Sequence, residues 1–525
     1  MKKIILYIFA YITMLAFHAC NSFLEESPKS QIVKDTYYST PAQALANVNF
    51  LYRVGAQGRM SNAGSAYVGP NASIDGMLTG YFINSYEGQE LACRYARLLT
   101  RSTSLSTLSN LLNDIWDNCY LAINVSNSAI KYIPDIPGID ETYADRLVAE
   151  AKFFRAFNYY YLVKTFGDVP MYEEPYESYT DNLLLGRTPI ADIYALMEAD
   201  LTVAANTLPE VMFAMNEHRI SKYIAAMTLA NVYLRQEKYS EAANAARIVT
   251  GSPHRLETND DLALGSAYNK LRSIDDLDEV IYAQEYDESI SSGGWWPTYA
   301  FSSGAVSVFG TYSIFERVYG PIDRFLNVYE ADDLRIQPNQ FFHWTYTNPN
   351  NGRTWSSESA GCWYYYDENA LLNSGRATKD WNFFRYAEAL LVAAEAIAAS
   401  PEGVTSEAAG YLAEIKARAD MNGKTIAQYS TELQALSNDD FIKECWTERL
   451  REFPLEFKIW DDCSRTGMFP VISETTQGEV TYVPLVGATN GAGAVFSSSD
   501  LFWPLSIDEL QRNPNLEQNE GYPTQ

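Results

Sequence analysis

Glu448, Glu452 and Glu456 recur every four residues, a spacing that sets carboxylates on one face of a helix. Paired carboxylates of this kind could serve glycoside hydrolysis. Arg449, Arg451 and Lys458 alternate with them, and the pattern fits an ion-paired structural helix better than an acid–base pair. Little other catalytic material is present. His218, His254 and His343 stand far apart and outside any HExxH pattern. There is no GxSxG elbow and no GxGxxG loop. Gly423, Lys424 and Thr425 spell the end of a phosphate-binding loop, but Arg418 occupies the place of its first glycine. With 66 acidic residues a hydrolase stays open, although no motif selects one.

The acids oppose 39 Lys and Arg over 525 residues, giving a formal net charge of -27. Nucleic-acid binding needs a basic footprint, so that class is disfavoured, as is broad adhesion to anionic lipid. A hydrophobic content of 47% excludes general disorder. Aromatic residues are abundant: 38 Tyr, 24 Phe and 10 Trp. Past the first twenty residues the cysteines are Cys93, Cys119, Cys362, Cys445 and Cys463, scattered and odd in number. They form neither a disulfide framework nor a zinc spacing, and buried thiols are the simplest reading.

Lys2 and Lys3 precede an apolar run from Ile4 to Phe17, and Ala19 precedes Cys20. This is the pattern of an export signal over residues 1–19. The run is shorter than the roughly 20 residues that span a bilayer. Cys20 is either an ordinary cysteine after the signal or a lipid-modified first residue. Its place after the apolar run and a small residue resembles a lipobox, although Phe17 and His18 depart from that pattern.

Apolar residues at helical spacing predict helices over 41–56, 105–133, 142–166 and 190–208. Residues 220–251 predict a helical hairpin of tetratricopeptide type, turning near Glu237 and Lys238 with Ala230, Ala242 and Ala246 at the contact. Further helical material is predicted over 383–399, 406–421 and 439–463. Residues 57–104 and 259–380 are rich in Gly, Ser, Asn and aromatics, with a short strand predicted over 279–284. Residues 479–486, followed by Asn490 and Gly491, predict a small hairpin. The expected fold is mainly α: a tetratricopeptide-like helical-hairpin scaffold (41–258 and 381–470), a loop-rich, partly β insertion half (259–380 with 57–104), and a tail over 471–525. A structureless stretch as long as 259–380 is improbable unless it builds a functional surface.

Six separated segments resemble the SusD/RagB family of nutrient-binding outer-membrane lipoproteins of Bacteroidetes. They are CNSFLEESP from Cys20, RAFNYYYLVKTFGDVPM from Arg155, DDLR at Asp332 to Arg335, NFFRYAEALLVAAEAIA from Asn382, ERLREFPLEFKIWDDCSRTG from Glu448, and LFWPLSIDELQRNPNLEQNEGY from Leu501. Phe457 and Ile459 depart where the family usually shows Gly and Arg; Leu505, Ser506 and Glu520 depart in the tail. The resemblance implies a SusD-like fold and a lipid anchor at Cys20. It further implies non-catalytic glycan binding at the cell surface, and delivery to a TonB-dependent SusC-like transporter. Peptides, as in the RagB branch, are the alternative ligand, and a secreted glycoside hydrolase the alternative class. No cofactor, metal or nucleic acid is implied.

A sugar ring has one apolar face and a rim of hydroxyls, so flat aromatic rings beside Asn, Asp and Arg side chains suit it. Trp295 and Trp296 follow Gly293 and Gly294 at the end of a predicted strand, and Tyr299, Trp344, Trp355 and Trp363 lie in the same half. Tyr81 and Phe82 in the earlier loop region could face them. These eight are the candidate binding residues, with core packing as the competing role. Trp116, Trp381, Trp446 and Trp460 fall in predicted helices and are expected to be packing residues.

Overall fold

A computed structural model describes residues 38–55, 76–85, 91–103, 105–177, 183–287, 294, 296–300, 303–310 and 317–524. Cys20 and Trp295 therefore lie outside the described residues, as does the side chain of Tyr299. The scaffold consists of α1 (Pro41–Val54), α2 (Leu105–Tyr132), α3 (Glu141–Phe166), α4 (Ile190–Thr207), α5 (Lys222–Arg235), α6 (Tyr239–Thr250), α7 (Tyr386–Ala399), α8 (Ser406–Ala419), α9 (Asn438–Glu452) and α10 (Ile459–Thr466). Thr40, Asp140, Thr405 and Ser437 each accept the N–H three residues on, which satisfies a donor that a helix start leaves unpaired.

From α2 to α6 each helix packs on the next, as stacked hairpins do. The α5–α6 hairpin turns at Glu237, whose φ is +58°, and Ala230, Ala242 and Ala246 are fully buried. The chain then leaves for the loop-rich half and rejoins the row at α7, which packs on α6, α8 and α9. Almost every residue of α7 is buried, as a helix apolar all round requires. Its two acids are paired: Glu395 with Arg465 at 2.6 and 2.8 Å, and Glu388 with Lys458. At the end of α3, Gly167 takes φ +75° and ψ -130°. That is the mirror image of extended backbone, not the left-handed helical cap its position suggests, and only a residue without a Cβ adopts it readily.

Among the described residues the strands form four antiparallel pairs: β1 (Phe82–Ile83) with β3 (Gly320–Pro321), β2 (Val280–Gln284) with β6 (Trp381–Arg385), β4 (Phe342–Thr347) with β5 (Thr354–Cys362), and β7 (Met468–Ile472) with β8 (Val480–Pro484). Two expectations are corrected. The helix expected from 383 begins at Tyr386, because the aromatic run Trp381–Arg385 pairs as a strand, Gln284 opposite Trp381 and Val280 opposite Arg385. The strand over 480–484 pairs backward with 468–472 through a turn at 473–479; the chain also reverses at Asn490 and Gly491, but there it pairs Thr489 with Val495 and not the 480–484 strand. The five cysteines from Cys93 to Cys463 are buried free thiols.

A buried ionic network joins the two halves. Arg385 donates through Nε and Nη2 to Glu456 Oε1 (2.8 and 2.7 Å), and through Nη1 to Glu279 (2.5 Å) and Glu452 (3.0 Å). Arg418 bridges Glu279 and Glu452 at 2.6 Å each, while Arg335 holds Asp333 and Glu448 at 2.7 Å each. The Glu448, Glu452 and Glu456 triplet is thus spent on ion pairing. Burial alone would raise the Glu448 carboxyl; Arg335, Lys416 and Arg451 outweigh it and hold the group at about 2. At Glu456 burial prevails over Arg385, and the carboxyl lies above its usual range.

Candidate functional site

An open cleft lies where the loop-rich half meets the start of β6. Three segments build it. The short helix Trp296–Tyr299 brings Trp296 and Pro297; the chain after β5 brings Tyr364, Tyr365, Tyr366 and Asp367; the approach to β6 brings Lys379, Asp380, Trp381 and Asn382. Leu271 and Arg272 close one side.

Two aromatic stacks converge on this cleft. In the first, the Trp296 ring lies 5.2 Å from Tyr365 and 6.0 Å from Trp381, and Trp381 stacks on Phe457 at 5.3 Å and 15°. In the second, Trp363 stacks on Tyr366 at 4.0 Å and 9°, and Tyr346 links Trp363 to Trp355. Tyr364, Tyr365 and Tyr366 are consecutive, so the peptide between the stacks forms part of the wall. The Arg272 guanidinium lies over both Trp363 and Tyr366, at 5.5 and 5.7 Å, and donates to the Tyr366 carbonyl at 2.7 Å.

Polar groups line the rim. Asp380 accepts the Tyr286 N–H at 2.8 Å, and its own N–H donates to Asp275 Oδ1 at 3.0 Å. Burial, with Asp275 beside it, pushes the Asp380 carboxyl up to about 7 from an ordinary 3.8. Glu456 also lines the cleft, and its Oε2 is buried with no hydrogen-bond partner among the described residues. No group of three metal-ligating side chains occurs among the described residues.

Asp380 predicts a pH dependence. The folded chain holds a proton there that the unfolded chain releases near pH 3.8, so this group's stabilisation is complete below that value and is lost as pH rises through about 7. Thermal unfolding of Asp380→Asn should therefore lack that part of the decline between about pH 4 and pH 8. A profile parallel to wild type would show that Asp380 ionises freely in the folded state.

A second open cleft lies on the scaffold side, lined by Tyr161 and Lys164 of α3, Asn231 of α5, Phe457 and Lys458. Trp381, Asn382 and Glu456 line both clefts and form the wall between them. Phe457 has φ +59°, a conformation that costs a residue with a Cβ about 1–2 kcal/mol.

The structure places six of the eight sequence candidates; Trp295 and the side chain of Tyr299 lie outside the described residues. Trp296 is buried and lines the first cleft. Trp363 and Trp355 belong to the second stack, Trp363 buried with its Nε1 donating to Asn269, Trp355 half-buried against the backbone of Gly304. Trp344 is half-buried on β4, packed against the core. Tyr81 and Phe82 are corrected to core residues. Tyr81 donates to the Pro470 carbonyl and stacks on Phe469, Phe82 stacks on Tyr319 at 4.3 Å, and neither ring has a free face. The sequence reading missed Trp381, Tyr364, Tyr365, Tyr366, Arg272 and Asp380. The run of four aromatics from Trp363 to Tyr366 was the signal available for three of them.

A sequence model of the SusD family matches residues 323–522, and one described as starch-binding associating with outer membrane matches residues 22–234. The chain is 26% identical over 538 residues to SusD-like protein P2 of Formosa agariphila, covering 99% of this chain and 100% of that protein. Its fold is similar to a SusD superfamily protein from Parabacteroides distasonis, with a TM-score of 0.77 at 22% identity, over 92% of this chain and 99% of that one. Surface glycan-binding protein A from Bacteroides thetaiotaomicron, solved in complex with laminarihexaose, is similar with a TM-score of 0.66 at 17% identity, over 91% and 99%. The two sequence models take in both ends of the scaffold and most of the chain between, and this chain belongs to the SusD/RagB family.

Proposed function

We propose that the chain is a non-catalytic glycan-binding lipoprotein of the cell surface, anchored in the outer membrane through Cys20. It would hand oligosaccharides to a TonB-dependent SusC-like transporter. The observation that carries the ligand class is the first cleft, where Trp296, Tyr365 and Trp381 meet a rim of Arg272, Asp367, Lys379 and Asp380. Flat rings match the apolar faces of sugars, and the rim can hydrogen-bond their hydroxyls. The laminarihexaose complex of the related surface protein supports this reading, as does the starch-binding description of the matching family model. Trp344 and Trp355 remain proposed contacts on the hairpin side; Trp295 and Tyr299 remain proposed contacts from the sequence alone.

Calorimetry against a panel of oligosaccharides and peptides, with analysis of the sugars afterwards, tests the reading. Saturable binding of an intact oligosaccharide is expected. Tight peptide binding alone would move the chain to the RagB-type alternative, and sugar cleavage would make it a hydrolase.

No helix among the described residues is long and apolar enough to cross a membrane. Attachment would then rest on acyl chains at Cys20, each buried CH₂ contributing about 0.8 kcal/mol. Cys20→Ala is expected to shift the protein from the membrane to the soluble fraction of fractionated cells. An unchanged distribution would refute the anchor.

A further inference from the structure

The two clefts lie back to back, and three residues separate them: Trp381, Asn382 and Glu456. Two of the three are held by other contacts. Asn382 sits in β6, paired opposite Ala283, and Glu456 is gripped by Arg385. Trp381 is the half-buried member, and on the scaffold side it is backed by the Phe457 ring at 5.3 Å and 15°. The same ring lies 5.2 Å from Trp296 and 5.0 Å from Tyr319, so it fills the space into which Trp381 would have to move. Phe457 does this from a backbone conformation, φ +59°, that favours glycine. Strain of that kind persists only where the surroundings over-determine it, and here the surroundings are the aromatic wall.

We propose that Phe457 is a specificity-determining partition: its ring clamps Trp381, keeps the two clefts apart, and limits the length of glycan the site accepts. The inference rests on the glycan-binding reading of the first cleft. The second cleft has the chemistry to take further sugar units: the Lys164 ammonium lies over the Tyr161 ring at 4.4 Å, and Asn231 and Lys458 share the lining. With the partition shut, an oligosaccharide that fills the first cleft gains nothing from added units. With it open, each added unit finds new partners.

The test is Phe457→Gly, which removes the ring and suits the backbone, alongside Phe457→Leu, which keeps apolar volume but offers no flat face to Trp381. Crystal structures of both variants are compared with wild type, and laminari- and malto-oligosaccharides from disaccharide to hexasaccharide are titrated into all three proteins. Wild type is expected to stop gaining affinity part-way along the series that it binds. In Phe457→Gly the ratio of hexasaccharide to disaccharide affinity should rise at least fivefold, with a smaller rise in Phe457→Leu, and Trp381 should be displaced so that the clefts join. An unmoved Trp381 with separate clefts overturns the proposal, as does an unchanged affinity ratio in a folded variant. If wild type binds neither series, the glycan reading of the cleft fails for these sugars, and the structures still decide whether Phe457 holds the partition.

Discussion

Arg385→Met is expected to destabilise the fold by about 4 kcal/mol or more. The guanidinium is fully buried and donates to three carboxylates: Glu279, just before β2, and Glu452 and Glu456, at and just beyond the end of α9. Methionine matches the aliphatic stem but leaves those acids short of a cation. Arg418 still serves Glu279 and Glu452, whereas Glu456 keeps only the more distant charge of Lys458. Orphaning buried charge in this way costs about 3–5 kcal/mol for a simple pair. Denaturant unfolding checks the figure. The deficit should also shrink as pH falls, because carboxylates without their cation take up protons more readily. Arg385→Lys should lie between the two, since an ammonium can reach one acid but cannot fork across three. A loss under about 1 kcal/mol for Arg385→Met would mean that the network is not coupled as its geometry indicates.

That network also shows where the sequence stops being informative. The four-residue spacing of Glu448, Glu452 and Glu456 announces a shared helix face and ion pairing, although Glu456 falls beyond the last turn of α9. Its partners Arg335, Arg385 and Arg418 come from distant segments, and nothing local marks them as belonging together. The long helices were legible because apolar spacing and following prolines agree with one another over α2 and α3, with an Asp140 cap at the start of α3. Trp381 was misread because the helical period of α7 runs without a visible break into five residues whose aromatic character suits a strand. The deciding partner, β2, lies almost a hundred residues earlier. The aromatic excess and its concentration in the loop-rich half were plain in the composition. Which rings would show a face and which would be core depended on tertiary packing, so Trp296 reached the cleft while Tyr81 and Phe82 were buried behind it.

Trp381→Ala is expected to weaken oligosaccharide binding by about 10- to 100-fold, the loss of an aromatic anchor of roughly 1.4–2.7 kcal/mol. Among the rings of the first stack it is the one that combines a cleft-lining position with partial exposure, whereas Trp296 and Tyr365 are buried and would unsettle the fold when truncated. Its indole is already held by Phe457 behind and Tyr365 beside it, so little freedom is lost when a sugar lies on it. Trp381→Phe keeps a flat face of smaller area and should recover part of the loss. Trp446→Ala is the matching control: its Nε1 donates to Glu395 inside the scaffold, away from both clefts, so stability should fall while affinity is kept. Calorimetry with the tightest oligosaccharide of the panel, on variants shown to be folded by circular dichroism, reads the difference. Unchanged affinity in folded Trp381→Ala would take this ring out of the binding surface. The site would then be sought at the second stack, where Trp355 offers the half-buried indole.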